Sequence, residues 1–264
     1  MLPARYRRHL MAVYRFARTV DDIGDEAERK DGIQGSLAEQ RIRLLDEIEG
    51  DLGRLYAGQQ PATEVIGQLA ATVAECGIPA QPLRDLIQAN RQDQQVSRYQ
   101  TFGELAAYCR LSADPVGRIV LYVFGVHTPE RAGLSDRICT ALQLAEHWQD
   151  VAEDLRAGRI YLPAEDLAEY GCTEADLAQP TAGPAVRALM AYQVMRASAL
   201  LNSGAPLIGT LTGAARLAVA GYVAGGRAAL AAISAAGHDV LSATPRPAKP
   251  RLLAELARAY VRGR

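Results

Sequence analysis

The sequence has little of what nucleic-acid-binding proteins need. Aromatic residues make up only 6% of the 264 residues, and 29 basic against 30 acidic residues leave a net charge of −1. A protein that stacks single-stranded bases uses aromatic platforms, and a protein that binds duplex nucleic acid uses a basic field. We therefore expect no nucleic-acid partner.

Cysteine is also scarce. The four cysteines lie about thirty residues apart, at Cys76, Cys109, Cys139 and Cys172. Metal-binding cysteines usually occur as closely spaced pairs, and small secreted domains carry a denser disulfide framework. The pattern predicts buried thiols in a reducing compartment.

Long uninterrupted apolar runs are missing as well. The N-terminal string MLPARYRRHL lacks the apolar core of a signal peptide. The most apolar stretch, residues 207–236, contains Arg216 and Arg227, whereas a spanning helix needs about 20 residues with few charges. We expect a cytoplasmic protein without a spanning helix, and peripheral contact with the inner membrane is left open.

The periodicity of the apolar residues predicts an all-α fold. Alternating strand patterns are absent, and apolar residues recur at spacings of three and four. No repeat or linker is recognisable, which favours a single domain over residues 1–264. The predicted long helices cover residues 3–25, 36–56, 101–124, 135–157, 183–202, 213–236 and 252–261, and short helices follow Pro163 and Thr173.

Local signals place the ends of these helices. Ser36 with Glu39, Thr101 with Glu104 and Thr173 with Asp176 have the spacing of capping boxes. Ser135 is the predicted N-cap of the helix over 135–157, and Gly158 is its predicted stop. We expect Pro115 to kink or interrupt the helix that contains it.

A first acidic cluster, Asp21, Asp22, Asp25 and Glu26, lies in the string YRFARTVDDIGDE at residues 14–26. Helical spacing places Tyr14, Arg18, Asp21 and Asp25 on one face, with the last two about 6 Å apart along the axis. Like charges one turn apart destabilise a helix, and aspartate is unfavourable near its C-terminus. A divalent cation reverses both effects, and Mg²⁺ favours one or two carboxylates with phosphate oxygens and water.

A second acidic cluster, Glu146, Asp150 and Asp154, lies in the string QLAEHWQDVAEDLRAGRIYLP at residues 143–163. Together with Gln143 these acids step by three, four and four residues, so they form one polar stripe. A helix packed on several sides must direct such acids at a cavity or at solvent. His147 lies beside the stripe but is rotated off it, and we expect it to pack.

Either cluster alone is typical of a solvated helix face. Two clusters at helical spacing in one all-helical chain instead favour a pair of facing helices that hold Mg²⁺ and a diphosphate. A di-iron carboxylate bundle is the competing metal hypothesis, but it requires Glu-x-x-His repeats on two helices. The sequence contains no such repeat, so we favour magnesium and diphosphate.

Three stretches resemble the squalene and phytoene synthases. They are YRFARTVDDIGDE, YCRLSADPVGR and LQLAEHWQDVAEDLRAGRIYLP, at residues 14–26, 108–118 and 142–163. They occur in the family's order, and the resemblance covers residues 2–222. It implies an isoprenoid-synthase-type helical bundle around a central cavity, with two aspartate-rich helices that hold Mg²⁺ and ionise a prenyl diphosphate.

Within the family, residues 109–118 and 148–150 are most similar to the hydroxysqualene synthase (HpnC) branch of bacterial hopanoid biosynthesis. That similarity implies a carbon–oxygen lyase that converts presqualene diphosphate and water to hydroxysqualene and diphosphate without a reductant. One alternative is a head-to-head prenyl transferase that makes presqualene diphosphate or phytoene. The other is a synthase-like interaction protein without catalytic activity. The lyase hypothesis also allows contact with other enzymes of the hopanoid pathway.

The resemblance assigns roles to individual residues. Tyr108 is expected to stabilise a cation or to orient water. Glu146 replaces the family's usual Asn and is expected to bind metal while adding charge. The expected metal-binding aspartates, which are also catalytic, are Asp21, Asp25, Asp150 and Asp154. The expected substrate-binding residues are Tyr14, Arg18, Gln143, Arg159 and Tyr222.

Overall fold

The structure, a computed structural model, describes residues 3–25 and 36–262. Within these ranges the only β-type pairing is an isolated bridge between Arg98 and Ile160, so the predicted all-α class is confirmed. The α-helices are α1 (Ala4–Asp25), α2 (Leu37–Tyr56), α3 (Glu64–Cys76), α4 (Ala80–Asp93), α5 (Phe102–Ser112), α6 (Asp114–Val123), α7 (Pro129–Gln149), α8 (Val151–Arg156), α9 (Ala164–Glu169), α10 (Glu174–Leu177), α11 (Pro184–Gly204), α12 (Gly213–Ala235) and α13 (Lys249–Arg262). A 3-10 helix covers Ala205–Thr210.

The chain forms two compact units that alternate along the sequence. The first unit contains Met1–Val96 and Arg110–His127, and the second contains Ser97–Cys109 and Thr128–Arg264. A division into compact units does not establish that either folds independently, so the single domain stays a prediction.

Most of the predicted helix ends are confirmed by their capping contacts. The Glu39 amide donates to Ser36 Oγ at 3.2 Å, and the Ser36 amide donates to the Glu39 carboxylate at 2.7 Å. Thr173 and Asp176 form the same capping box at α10. Gly158 follows α8 with a φ of +82°, a left-handed conformation that glycine adopts without strain.

Two predicted helices differ from the structure. The helix over 101–124 is divided into α5 and α6, with Pro115 in the first turn of α6, where no backbone donor is needed. The helix over 135–157 begins earlier, because Thr128 caps α7 and Pro129 occupies its first turn. Ser135 is therefore a buried residue inside α7, and the prediction that it is an N-cap was wrong. This helix is also divided at Asp150, between α7 and α8.

Helices α3 and α4, which the sequence analysis did not predict, complete the first unit around α1. The core is formed by buried aliphatic side chains from five helices, with Phe16 of α1 fully buried among them. A hydrogen bond of 3.0 Å between His9 Nδ1 and Thr72 Oγ1 links α1 to α3. The residues of this core include Val20, Leu45, Leu52, Ile66, Leu69, Leu83, Ile87 and Ile119.

The second unit is built on α7, which packs against α11 and α12. Gly226 of α12 lets these helices approach closely, because a Cβ there would lie 2.8 Å from Leu142 and 2.9 Å from Leu201. A buried ion pair holds α9 to α11: Arg196 donates to both carboxylate oxygens of Asp166, at 2.8 and 3.0 Å. These contacts fix the part of the unit that carries the second acidic cluster.

Helix α12 is, among the described residues, the one helix that is long and apolar enough to cross a membrane by length and composition. Of the most apolar stretch of α12, 44% is buried inside the protein. This helix packs against α7, α11 and α13. A core helix meets the same criteria of length and composition.

The four cysteines are free thiols. Cys109 and Cys172 are buried, whereas Cys76 and Cys139 are half-buried. Burial raises the pKa of the Cys76 and Cys172 thiols. The prediction of buried thiols is therefore correct for two of the four.

A buried carboxylate orders the turn before α3. Asp51, 4% exposed, accepts hydrogen bonds from the Ala62 amide at 2.6 Å and from the amide and hydroxyl of Thr63 at 2.8 and 2.6 Å. Burial acts to raise the pKa of Asp51, but these hydrogen bonds, with the nearby Arg54 charge, outweigh it and lower the pKa. The ionised form is therefore the one that the fold stabilises.

We expect Asp51→Asn to lower the free energy of unfolding by about 1–3 kcal/mol at neutral pH, since an amide replaces hydrogen bonds to a charged acceptor. Because the folded pKa lies below the unfolded value of about 3.9, this stabilisation is present above that value and is lost as the pH falls through the folded pKa. Denaturant unfolding of both proteins from neutral pH to about pH 3 should show the difference shrinking. A difference that is constant over this range would contradict the assignment.

Candidate functional site

The first acidic cluster lies at the C-terminal end of α1, in the first unit. Tyr14 is 59% exposed, and Arg18 and Asp21 are also exposed. The Arg18 guanidinium pairs with Asp22, one turn further along, with Nε 2.8 Å from Oδ1. The side chain of Asp25, and Glu26, lie outside the described residues. The three described residues of the predicted stripe are thus accessible to a ligand.

Helix α4 supports this end of α1. Asn90 is buried, and its Nδ2 donates to Asp21 Oδ1 at 3.1 Å, while Gln94 Nε2 donates to the Gly24 carbonyl at 2.9 Å. A Cβ on Gly24 would lie 2.2 Å from Asn90 Oδ1, so glycine is required for this close approach. The sequence analysis missed Asn90 and Gln94, and the available signal was two amides at i and i+4 on one helix face.

The second acidic cluster lies where α7 meets α8, in the second unit. Although Asp150 divides the two helices, its amide donates to the Glu146 carbonyl at 3.0 Å and its carbonyl accepts from the Asp154 amide at 2.8 Å. The helical hydrogen-bond pattern therefore continues through the junction. Glu146 is exposed, and Gln143, Asp150 and Asp154 are half-buried.

The electrostatic surroundings of Asp154 disfavour its charge. Burial, followed by the neighbouring Asp150 carboxylate, raises the pKa of Asp154 to about 7. The Arg159 guanidinium acts in the opposite direction. Glu153 and Glu146 add further to the rise. Negative charge thus exceeds positive charge around this carboxylate.

Asp150 is in a similar but milder position. Burial and the Glu153 charge raise its pKa, and Arg246 opposes them. Arg246 lies with Asp150 and Glu146 on a cleft of about 440 Å³ within the second unit. The cleft is lined in addition by Leu142, Ala145, Gln149, Gly225, Gly226, Ala229 and Thr244.

The segment that carries Arg246 is attached to α7. Gln149 Nε2 donates a hydrogen bond to the Pro245 carbonyl. Because Pro245 precedes Arg246 and Gln149 precedes Asp150, this bond holds the Arg246 segment beside the acid. The sequence analysis treated ATPRPAKPR only as a break between helices and missed Arg246. A single arginine between two prolines was the available signal.

Buried aromatic rings lie next to Asp154. The Tyr161 ring stacks on His147 at 3.6 Å between centroids and on Tyr108 at 5.9 Å, and Tyr99 stacks on Tyr161 at 5.9 Å. The predicted catalytic residue Tyr108 is therefore buried within an aromatic group. Its action on a substrate cation or water stays a prediction.

His147 has polar contacts as well as the packing that the sequence analysis expected. Its Nε2 lies 3.2 Å from Gln143 Nε2, and its Nδ1 lies 3.9 Å from Asp154 Oδ2. Burial, with the Arg159 charge, lowers the pKa of His147 to about 3, so the ring is neutral at physiological pH. The stacked rings of His147 and Tyr161 therefore lie between the acids and apolar surroundings, and they add no charge.

The two remaining predicted substrate-binding residues have different surroundings. Arg159 directly follows Gly158, is half-buried, and its amide donates to the Asp154 carbonyl at 2.8 Å. Tyr222 lies on α12 and is 47% exposed. Contact of either side chain with a substrate stays a prediction.

The carboxylates fit Mg²⁺ better than a metal that needs a complete protein cage. Among the described residues no three His, Cys, Asp or Glu side chains are grouped so that they hold a metal ion by themselves. Mg²⁺ characteristically takes one or two carboxylates and fills its octahedron with phosphate oxygens and water. Burial and the neighbouring carboxylates, which raise the pKa of Asp154, disfavour its negative charge, and a bound cation would stabilise that charge.

Comparison with known proteins identifies similar sequences. A family model described as squalene/phytoene synthase matches residues 1–253. A hydroxysqualene synthase from Rhodopseudomonas palustris is 36% identical over 204 residues, which cover 77% of this chain and 66% of that protein. A phytoene synthase from Arthrospira platensis is 33% identical over 211 residues, which cover 75% of this chain and 65% of that protein.

One solved structure is also similar to this chain. The squalene synthase HpnC from Alicyclobacillus acidocaldarius is 43% identical, with a TM-score of 0.81, and the match covers 90% of this chain and 86% of that one. The isoprenoid-synthase-type all-α fold is thus confirmed, over a chain that spans about two thirds of the length of the curated relatives. With a family match over nearly its whole length, this chain belongs to the squalene/phytoene synthase family.

Proposed function

We propose that the protein is a Mg²⁺-dependent hydroxysqualene synthase, which converts presqualene diphosphate and water to hydroxysqualene and diphosphate in hopanoid and squalene biosynthesis. The observation that carries the proposal is the grouping of Glu146, Asp150 and Asp154 at one helix junction, with Glu146 and Asp150 on a cleft that also holds Arg246. A cluster of this kind needs cations, and cations bound to carboxylates bind a diphosphate in turn. Similarity to hydroxysqualene synthases supports the choice of branch.

In the proposed reaction the carbon–oxygen bond to the diphosphate breaks, and the diphosphate leaves with the electron pair. When bound, Mg²⁺ supplies charge stabilisation to this leaving group. Asp21 with Asp25 in the first unit, and Asp150 and Asp154 with Glu146 in the second, are the residues that would hold Mg²⁺. Arg18, Arg159 and Arg246 are suited to the phosphate oxygens, because a guanidinium pairs with two oxygens at once.

The carbocation is then captured by water, whose oxygen forms the new carbon–oxygen bond and which loses one proton. Neither carbon nor cofactor is reduced, so no reductant enters the balance. The cation must be kept from bulk water until it has rearranged, and buried rings such as Tyr108 and Tyr161 exclude solvent beside Asp154. An aromatic face also stabilises a cation.

A prenyl transferase is the second candidate. Phytoene synthases match this chain at nearly the same identity as hydroxysqualene synthases, 33% against 36%. In this case the cation formed from one prenyl diphosphate is captured by the double bond of a second, and the resulting cation loses a proton to give the condensed product. Both reactions require the same ionisation, so the same aspartates serve either.

The long apolar substrate and product of the proposed reaction partition into bilayers. This supports peripheral contact with the inner membrane by a cytoplasmic protein. It also supports contact with the enzymes that supply presqualene diphosphate and consume hydroxysqualene.

Incubation with presqualene diphosphate and Mg²⁺, without NADPH, is expected to yield hydroxysqualene, identified by mass spectrometry. A parallel incubation with farnesyl diphosphate is expected to yield no condensed product. Condensation of farnesyl diphosphate would instead assign the protein to the transferase branch. The absence of product from both substrates would contradict the proposed activity.

We expect Asp21→Asn and Asp150→Asn each to reduce Mg²⁺-dependent turnover by at least about 100-fold, as loss of a charge-stabilising group does elsewhere. Circular dichroism should be unchanged, because neither carboxylate belongs to the hydrophobic core. Glu169→Gln, an exposed acid on α9, is the matched control and should retain wild-type turnover. Unchanged turnover in both aspartate variants would refute the metal assignment.

The support that α4 gives to Asp21 has its own test. Asn90→Ala removes the donor to Asp21 and is expected to weaken binding of Mg²⁺ with inorganic diphosphate by about 10- to 100-fold, as loss of a ligand's hydrogen-bond partner does in metal sites. Thermal melting over a Mg²⁺ titration measures this. Gln81→Ala, an exposed amide on the same helix, is the control. Equal effects of the two variants would show that α4 acts only through general stability.

A further inference from the structure

Three polar side chains follow one another across the junction of α7 and α8. Gln143 Nε2 lies 3.2 Å from His147 Nε2, and His147 Nδ1 lies 3.9 Å from Asp154 Oδ2. Gln143, His147 and Asp154 stand at positions i, i+4 and i+11. The break between α7 and α8 at Asp150 lies between His147 and Asp154 and contributes to their approach. The middle residue is 7% exposed, and both of its ring nitrogens face protein groups.

The plane of the His147 ring is fixed by its neighbours. The Tyr161 ring stacks on it with centroids 3.6 Å apart and an angle of 15° between the planes. The centroid of the Tyr108 ring lies 6.4 Å from that of the imidazole. The stack fixes the ring plane, and the contacts with Gln143 and Asp154 are those of the two ring nitrogens in this orientation.

The contact with Gln143 determines which nitrogen carries the proton. An amide nitrogen only donates, so His147 Nε2 must accept, and the proton of a neutral ring then lies on Nδ1. With the Gln143 amide turned over, Nε2 would donate, and the bare Nδ1 would face Asp154, a contact that only the protonated carboxyl could satisfy and that the ionised, metal-binding carboxylate could not. The arrangement with the proton on Nδ1 is therefore the favoured one.

We propose that His147 is a positioning residue, which presents its Nδ1–H to the Asp154 carboxylate and fixes the orientation in which that carboxylate binds Mg²⁺. The inference rests on the proposed function, because it concerns a ligand of the proposed metal. Ligating carboxylates are commonly oriented by such hydrogen-bonding partners. The present separation of 3.9 Å is longer than a hydrogen bond, and we expect it to shorten when Asp154 binds the ion.

A neutral imidazole suits this position. A lysine or arginine there would orient the carboxylate but would also neutralise the charge that the metal needs. The ring of His147 donates one hydrogen bond to the acid and leaves its charge intact. Its flat face meanwhile completes the buried stack with Tyr161.

Two variants separate the hydrogen bond from the packing. His147→Phe keeps a ring for the stack and removes both nitrogens, whereas His147→Asn keeps an amide N–H near the position of Nδ1. With Mg²⁺ and inorganic diphosphate as probes, His147→Phe is expected to raise the Mg²⁺ concentration at half-maximal thermal stabilisation by about 10- to 100-fold. His147→Asn should restore most of that loss. Equal effects of the two variants, or no effect of His147→Phe, would overturn the inference.

The tautomer provides a measurement that needs neither metal nor activity. In ¹⁵N NMR spectra of the metal-free wild-type protein, His147, assigned by its absence from the His147→Asn spectrum, should show a protonated Nδ1 and a bare Nε2 at neutral pH. A protonated Nε2 would overturn the inference, even if His147→Phe fails to fold.

The two hypotheses fail in different ways. A protein that shows the expected tautomer and Mg²⁺ response but makes no hydroxysqualene loses the proposed function and keeps the positioning role. A protein that makes hydroxysqualene with a protonated Nε2 keeps the proposed function and loses the positioning role.

Discussion

The crowding of negative charge on the α7–α8 junction is the constraint on which the candidate site depends. Asp150 and Asp154 are one turn apart and half-buried. Burial and the Glu153 charge raise the pKa of Asp150, and burial and the Asp150 charge raise the pKa of Asp154. The carboxylates stay in this unfavourable position because the surrounding helices fix the backbone. A bound cation would relieve this penalty, so under the proposed function the same geometry would provide affinity for Mg²⁺.

The two acidic clusters are held by different means. In the first unit, an amide from a separate helix reaches Asp21, and Gly24 permits the close approach of Asn90 that this requires. In the second unit, the support for Asp154 comes from its own segment, through the stacked rings of His147 and Tyr161. Both supports are uncharged. Under the proposed function, each would orient an acid without neutralising it, as a metal-binding carboxylate requires.

The sequence analysis predicted contacts between residues that are close in the chain, and it missed contacts between residues that are distant in the chain. Capping boxes such as Ser36 with Glu39 act within one turn, so the sequence was sufficient to predict them. Helix α3 was missed because Ile66, an apolar residue, stands three residues after its N-cap Thr63, so the sequence carries no capping-box signature. Asn90 was missed because its partner Asp21 is 69 residues away, and only the packed structure brings the two together. The acidic stripes were predictable because helical periodicity alone aligns their members.

The chemistry has two steps, ionisation of the diphosphate and capture of the cation. This explains why the enzymes of the family that catalyse the two reactions are so similar in sequence. Ionisation of a prenyl diphosphate needs acids and metal, and these requirements are the same whether water or a second prenyl chain captures the cation. Capture depends instead on what surrounds the cation after the diphosphate has left. In this chain the neighbours of the second acidic cluster are buried rings, among them His147, Tyr108 and Tyr161. The choice between the two products should therefore be altered by substitutions in these rings, while substitutions of the aspartates should abolish both.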